Sequence, residues 1–396
     1  MAEEVEQAER AEQTERAEQW LIATRECLAQ ARLERQTIRI EGHGSKAFYG
    51  NPVSADRVLS TLGYAGVVDY DPTELVVVVR AGTPILALES LLESRGQRLA
   101  FEPPRFGSGG GTVGGMIASG LSGPARWMSG ACRDFVLGMT VMNSQGDLLR
   151  YGGTVMKNVA GYDLARLHTG ALGSLGIVLD VALKVLPLPA ARLSLEWSCP
   201  EDAAREALNE WAARPLPLSA SAWIPNQLGG LDGTLRLRLS GARAAVDEAA
   251  NAFCQSPQGR LGLARPLKND EADAFWLSIR DQTHTVFHSS LPLWRVSLPA
   301  RSEGHADFSP MLVEWGGGLR WIATNHSAQA VRAFAADRSG HAALYRSGQG
   351  QALPSDGVFM PLEPVIDRLH QRIREELDPM GLLNPGRLSP AMARAA

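Results

Sequence analysis

The chain has 396 residues, 45% of them hydrophobic and 21% charged, with a formal net charge of −4. That length allows two or three domains with cores of their own, and the charge balance offers no general field for nucleic acid or an anionic membrane. No run approaches eighteen consecutive apolar residues and the acidic N-terminus lacks a signal-peptide design, so a cytoplasmic protein is expected, peripheral to a membrane at most through a partner.

Residues 1–19 repeat A-E-Q/E-R units almost without apolar content and read as a solvated helical extension. Trp20, Leu21, Ala23, Cys27, Leu28 and Ala31 then supply one packed helix. "TIRIEGHGSKAFYG" alternates as a strand at Ile38 and Ile40 and breaks into the loop Gly42-His43-Gly44-Ser45-Lys46. "AGVVDY" and "LVVVVRAG" are two further strands. Thr83 as cap and Pro84 in the first turn predict a helix through "ILALESLLESR" that stops at Gly96. "LAFEPP" reads as a short strand ended by prolines. Next comes "GSGGGTVGGMIASGLSG", residues 107–123, eight of whose seventeen positions are glycine. "FVLGMTVMNSQGDLLRYGG" predicts a hairpin about Asn143-Ser144-Gln145-Gly146, and "GSLGIVLDVALKVLPLP" a strand that ends a domain spanning 20–190. From 191 to 345 strands and helices recur in β-α-β-β-α order, which predicts an α+β domain with an antiparallel sheet. Residues 346–396 hold one amphipathic helix and a tail rich in Pro and Gly.

Cys27, Cys132, Cys199 and Cys254 lie far apart and never form C-x-x-C, so neither a zinc nor an iron–sulfur site is expected from this chain, and reduced thiols are. Gly109-x-Gly111-x-x-Gly114 fits the dinucleotide fingerprint, but two prolines stand where the preceding strand should be, and Asp134 precedes the next strand instead of ending it. Bare backbone N–H groups in such a loop nonetheless make a nest for a pyrophosphate. The glycines alone point to a nucleotide cofactor without choosing which.

The order of "RIEGHGSKAFYG", "VVVRAGTPILALESLLESRGQRLAFEPP", "GGGTVGGMIASGLSGPARW", "GSLGIVLDVALKVLP" and "LDPMGLLNPGR" resembles the vanillyl-alcohol-oxidase (PCMH-type) family of FAD-linked oxidases. "GHGSKAFYG", "TVMKNVAGYDLARLHTGALGSLG" and the terminal motif resemble, within it, the FAD-binding subunits of bacterial glycolate oxidase. The resemblance implies an α+β chain with a two-part PCMH-type FAD-binding domain at 20–190, a cap or docking domain at 191–345, and a segment at 346–396 that returns to the flavin. It places Gly42, His43, Gly44, Ser45 and Lys46 in the first pyrophosphate loop. Gly111, Thr112, Val113, Gly114, Gly115, Ala118, Ser119 and Gly120 fall in the segment around diphosphate and flavin. Asp134 and Gly138 fall near the adenosine; Gly173, Ser174, Gly176 and Ile177 at the strand entry beside adenine and ring; Asn384, Pro385, Gly386 and Arg387 in the C-terminal turn. His43 stands one position before the place of the linking histidine of covalent members, and Gly44 fills that place, so non-covalent FAD is implied.

The resemblance further implies oxidation of a small 2-hydroxy acid, in a complex with a catalytic FAD subunit and an iron–sulfur subunit. A free-standing 2-hydroxy-acid or alcohol oxidase and a non-catalytic structural subunit remain as alternatives. The family's acid between "GALG" glycines is Leu172 here, and its histidine-rich catalytic segment has no counterpart, which counts against an independent active site. No catalytic residue is assigned; the candidates are Tyr162 and Lys157, in "KNVAGYDL", for contacts on the ring side, and Arg387, which with Arg105 and Arg126 is a candidate anion clamp. His284 and His288, four apart, are the histidine pair nearest a metal-ligand spacing, and no metal is expected.

Overall fold

The computed structural model describes residues 2–107, 109–153 and 163–390, with side chains from residue 11 onward. The N-terminal helix Ala2–Glu34 is unbroken. Packing begins inside the segment expected to be a solvated extension: Ala17 is 3% exposed, and Leu28 and Ala31 are fully buried with Ile38, Ile177 and Leu383. The Trp20 indole N–H donates to the Ser60 carbonyl at 2.8 Å, and its ring lies 5.2 Å from that of Tyr64.

The FAD-type domain has the two expected parts. The first is a parallel pair, Ile38–Glu41 with Arg57–Ser60, the second of which the sequence reading passed over. The C-terminal tail joins it, Leu383 bridging Ile38 in parallel. The second part is a five-stranded antiparallel sheet in the order Val67–Asp71, Val76–Arg80, Ile177–Lys184, Val136–Met142, Leu148–Gly152. Its two outer strands on one side form the hairpin anticipated about Asn143, whose Oδ1 accepts the Gln145 and Asp147 amides. In the central strand Ile177, Val181 and Leu183 are fully buried, while Asp180 and Lys184 are half-buried at the positions where the apolar pattern lapses. Helices Ile85–Ser94 and Val113–Ser119 contribute Ile85, Leu88, Leu92, Met116 and Ile117 to the same core.

Two local details differ from the sequence reading. Thr83 does not cap helix Ile85–Ser94; its hydroxyl exchanges hydrogen bonds with the backbone of Gly66 (2.9 and 3.1 Å), and Pro84 stands at the N-cap. In "LAFEPP" only the preceding Gln97–Arg98 forms a strand, paired with Leu186–Pro187.

The cap is an eight-stranded antiparallel sheet in the order Arg265–Pro266, Ala191–Pro200, Asp232–Gly241, Leu218–Pro225, Leu312–Glu314, Leu319–Ala323, Leu293–Ser297, His341–Arg346. Helices Glu201–Ala212 and Arg243–Gln255 pack Trp211 and Phe253 against Trp197. A helix at Asn269–Arg280, with Phe275, Trp276 and Ile279 buried, was not anticipated. Its end meets the FAD-type domain: Arg105 pairs with Asp281 (2.7 Å) and Arg280 pairs with Glu89. Nearby Arg238 of the cap donates to Glu102 at 2.8 Å, with both side chains buried. Among the described residues no helix is long and apolar enough to cross a membrane.

Candidate functional site

Between the two parts of the FAD-type domain lies a cleft of about 390 Å³. One wall is the loop Gly42–Lys46 at the end of strand Ile38–Glu41; the other is the start of helix Val113–Ser119; the C-terminal turn closes one end. Gly42 belongs where it is because a Cβ there would collide with the Thr112 side chain. Gly44 has φ +66°, a left-handed conformation that favours glycine. Thr112 caps its helix, its hydroxyl accepting from the Gly115 amide at 3.2 Å.

The structure brings together Gly42, His43, Gly44, Ser45, Lys46, Thr112, Gly115, Ala118, Ser119, Asn384 and Arg387 around this one cleft. Gly111 backs it, where a Cβ would lie 2.8 Å from the Lys46 ammonium. Other expected residues serve its frame. Val113 is fully buried, and a Cβ on Gly114 would sit 2.8 Å from that of Ala81. Gly120 closes on Gly170, and Gly173 lets the Asn384 amide approach and donate to the Leu172 carbonyl at 2.7 Å. Ser174 is buried with its hydroxyl donating to the Ala171 carbonyl, and Gly176 and Ile177 sit in the sheet against Val141 and Met142. Gly138 lies in the hairpin, where a Cβ would meet Gly153. Asp134 lies outside the cleft and lines another with Arg166, Leu175 and His370, its carboxylate accepting the Ala131 amide at 2.8 Å. Lys157 and Tyr162, with Asn158 and Gly161, fall outside the described residues.

Seven lining residues escaped the sequence reading as binders: Arg39, Ile40, Glu41, Ala47, Pro52, Val53 and Leu172. Leu172 alone carried a signal, as the place where an acid is expected; it adopts φ +53° there. Arg387 lines the cleft with its terminal nitrogens already used by backbone. Its guanidinium donates to the carbonyls of Asn51 (3.0 Å), Lys46 and Ala47 (3.1 Å each), and so holds the first loop in shape. Arg105 is likewise committed, to Asp281 and Glu89. Arg126 is different and lies over the Trp315 ring, 4.2 Å from its centroid. His284 caps a short turn through Nδ1, which accepts from the Val286 amide (3.3 Å), and among the described residues no three His, Cys, Asp or Glu gather as a metal site.

The electrostatic centre of the cleft is Lys46. Its ammonium is buried, has no hydrogen-bond partner among the described residues, and lies 5.5 Å from the Phe106 ring centroid. Burial pulls it from 10.5 down to about 8. An unpaired buried cation between two glycine loops is incomplete without an anion. The diphosphate of FAD would supply that charge, and the backbone bared at Gly44, Gly111 and Gly115 would give it room; the residues fit the cofactor.

Residues 23–152 match the family model described as an FAD binding domain. The chain is 39% identical over 368 residues to glycolate oxidase subunit GlcE of Escherichia coli (strain K12), covering 92% of this chain and 96% of that one. It is 35% identical over 129 residues to glycolate oxidase subunit GlcD of Bacillus subtilis (strain 168), which covers 33% of this chain and 27% of that one. A solved structure of alkyldihydroxyacetonephosphate synthase superposes with a TM-score of 0.65 at 13% identity, over 91% of this chain and 74% of the other, which shows the fold. With a cradle that fits FAD and near-complete coverage of a relative, the chain belongs to the GlcE family of PCMH-type FAD-linked oxidoreductases.

Proposed function

We propose that this chain is the FAD-binding subunit of a glycolate oxidase that converts glycolate to glyoxylate together with a second flavin subunit and an iron–sulfur subunit. The observation that carries the reading is the unpaired Lys46 ammonium set between Gly42–Ser45 and Gly111–Ser119, in a chain similar to GlcE along almost its whole length. Lys46 neutralises the diphosphate, the bared loop amides bind its oxygens, and Arg387 keeps the first loop in register through three carbonyls. Bound FAD supplies a hydride acceptor for oxidation at the substrate's CH–OH carbon. Gly44 at the linking place supports non-covalent attachment. The four cysteines are free thiols, two of them half-buried and two buried, so electrons that leave through clusters need a partner chain.

Lys157 and Tyr162 remain the candidates for the ring side. Leu172, in the place of an acid, favours glycolate oxidation on the second flavin subunit. The cofactor reading is tested by titrating the purified apo chain with FAD: saturable binding with a perturbed flavin spectrum is expected, and no binding refutes it. Glycolate-dependent dye reduction separates the rest. The complex reading expects turnover only after the partner subunits are added; turnover by the isolated chain would instead establish a free-standing oxidase.

A further inference from the structure

The first glycine loop is held from behind by a residue that does not line the cleft. Asn51 follows the loop and is 6% exposed, while the cleft takes in its neighbours Pro52 and Val53. All four polar groups of Asn51 are used, and all by segments more than 300 residues later in the chain. Its backbone N–H donates to the Arg387 carbonyl and its carbonyl accepts from the Arg387 guanidinium, both at 3.0 Å. Its Nδ2 donates to the Gly386 carbonyl at 3.1 Å, and its Oδ1 accepts from the Val358 amide at 2.8 Å. A carbonyl can only accept and a backbone amide only donate. These partners therefore fix which end of the carboxamide is oxygen, and neither a carboxylate nor an alkyl group serves both.

The two side-chain bonds lead to different parts of the molecule. Gly386 belongs to the C-terminal turn, which also grips the chain ahead of the loop: Asn384 accepts from the Ile40 amide at 2.8 Å and donates to the Leu172 carbonyl at 2.7 Å. Val358 belongs to a strap, residues 347–363, that runs from the last cap strand, His341–Arg346, to the helix Pro364–Leu377. The Val358 side chain is 3% exposed in one core cluster with Trp294 and Val296 of the cap, and its carbonyl accepts from the Leu344 amide at 2.8 Å. On either side of it the carbonyls of Gly357 and Phe359 accept from Arg332, a buried residue of cap helix Ala328–Ala336. Gly357 has φ +90°, and a Cβ there would lie 2.9 Å from Asn51 Oδ1, so strap and carboxamide meet without slack. Val358 is thus both part of the cap core and a donor to the residue behind the first cofactor loop.

We infer that Asn51 is a positioning residue for the cofactor: its carboxamide sets the loop Gly42–Lys46 from behind and, through Val358, makes that setting depend on the docked cap. Loosening the strap from the cap frees the Val358 amide to leave Asn51, and the loop then loses one of the bonds that hold its exit. A buried carboxamide oxygen left without its donor is costly, so the loop keeps its shape while the strap is in place. The statement about FAD rests on the flavoprotein reading; the interlock of cap, strap and loop does not.

The test compares the full-length chain as wild type, Asn51→Asp, Arg332→Met and the double variant. Asn51→Asp keeps the acceptor for Val358 and loses the donor to Gly386; Arg332→Met releases the strap without touching the cleft. In hydrogen exchange of the apo chain, the Ala47, Tyr49 and Asn51 amides, each bonded at 3.0 Å, should exchange about tenfold faster in either single variant, while cap strand Ala191–Pro200 keeps its wild-type rate. FAD affinity, read by flavin fluorescence, should fall about tenfold in Asn51→Asp and about threefold in Arg332→Met. The double variant should bind FAD as Asn51→Asp does, because both changes break one path. Faster exchange over the whole chain, which a plain loss of stability gives, would overturn the proposal. So would unchanged exchange at the loop, FAD affinity in Asn51→Asp within about twofold of wild type, or losses that multiply in the double variant. Should Asn51→Asp or Arg332→Met fail to fold, Asn51→Ser and Arg332→Lys take their places in the same comparison. A wild type that binds no FAD would strike the flavoprotein reading, and exchange in the apo chain would still decide the interlock.

Discussion

Lys46→Met should make the apo chain more stable and its cofactor binding worse. Lys46 has no hydrogen-bond partner among the described residues, and burial takes it from 10.5 to about 8 against a small opposing effect of the Cys132 thiol. At about 1.4 kcal/mol per tenfold change in proton affinity, that drop corresponds to a burial penalty of about 3 kcal/mol at neutral pH. A methionine fills the same space without the penalty, so a gain of about 1–3 kcal/mol is expected, allowing for relaxation around the ammonium. The pH dependence has a definite sign. Between pH 8 and 10.5 the unfolded chain holds the proton that the folded apo chain has lost, so wild-type stability rises through that window, and the methionine variant should lack the rise. FAD reverses the balance: losing a charge-assisted contact to the diphosphate should weaken binding by about 10- to 150-fold, the equivalent of about 1.5–3 kcal/mol. Urea denaturation of both apo proteins at pH 7 and 10, with FAD titration at pH 7, measures each part. A variant less stable than wild type at pH 7, or one that binds FAD within twofold of it, refutes the reasoning.

Gly114→Val should destabilise the fold by about 2 kcal/mol or more, because its first added carbon already lies 2.8 Å from Ala81 Cβ and 3.1 Å from the Ala81 carbonyl; an unchanged melting temperature would show that helix Val113–Ser119 can slide. Arg387→Lys keeps the charge but not the fork to three carbonyls, so FAD affinity should fall about tenfold, and full affinity in a titration would mean the first loop is held by other contacts. Glu314 is raised to about 7, chiefly by burial, so the folded chain binds more protons than the unfolded one between pH 4.5 and 7, and its stability falls as pH rises across that range. Glu314→Gln should therefore gain on wild type by up to about 3 kcal/mol at pH 8 and much less at pH 4.5; denaturation curves whose difference does not change with pH would disprove it.

Most strands of the five-stranded sheet were legible because their signals are local, whereas the short Arg57–Ser60, with one buried residue, was not. Ile177 to Lys184 alternates with the period of a strand, the hairpin turn is written in Asn143 and Gly146, and glycine density marks the second loop. The roles of individual site residues were less so, since they depend on what packs behind them. Gly114 and Gly115 are neighbours in one motif, yet one faces Ala81 and the other the cleft. Arg387 sits in the expected turn, but its donors are used by carbonyls more than 300 residues earlier in the chain. Helix Asn269–Arg280 was missed because its first turn is polar and acidic, and its apolar side is confined to Ala272, Phe275, Trp276 and Ile279. Nothing local announces that its last residues will meet Glu89 and Arg105.

That meeting adds a charged seam to the apolar contacts that hold the cap on the cofactor domain, where Phe106 and Leu121 pack with Trp315, Trp321 and Tyr345 and the Phe48 and Tyr49 rings each lie 5.4 Å from that of Tyr345. Arg105, Asp281, Arg280 and Glu89 form a chain of alternating charges, each side chain about one-fifth exposed. Glu102 is more deeply placed: it accepts from Arg238 and from the Ala125 amide, and burial, which would raise its carboxyl, is outweighed by the guanidinia, which hold it below the ordinary range. Breaking one member of such a buried pair leaves a charge stranded, which costs about 3–5 kcal/mol, so the cap cannot shift gradually across this surface. Glu102 and the Pro103-Pro104 pair precede the second glycine segment, and Gly123 and Ala125 follow it. The Ala125 amide binds Glu102, the Gly123 carbonyl binds Trp315, and the Pro103 carbonyl accepts from Arg280. The glycine-rich loop is thus pinned at both ends to the cap. Within it Gly111 and Gly114 let the Lys46 ammonium and Ala81 approach closely, and the charged seam holds the two flanks in place.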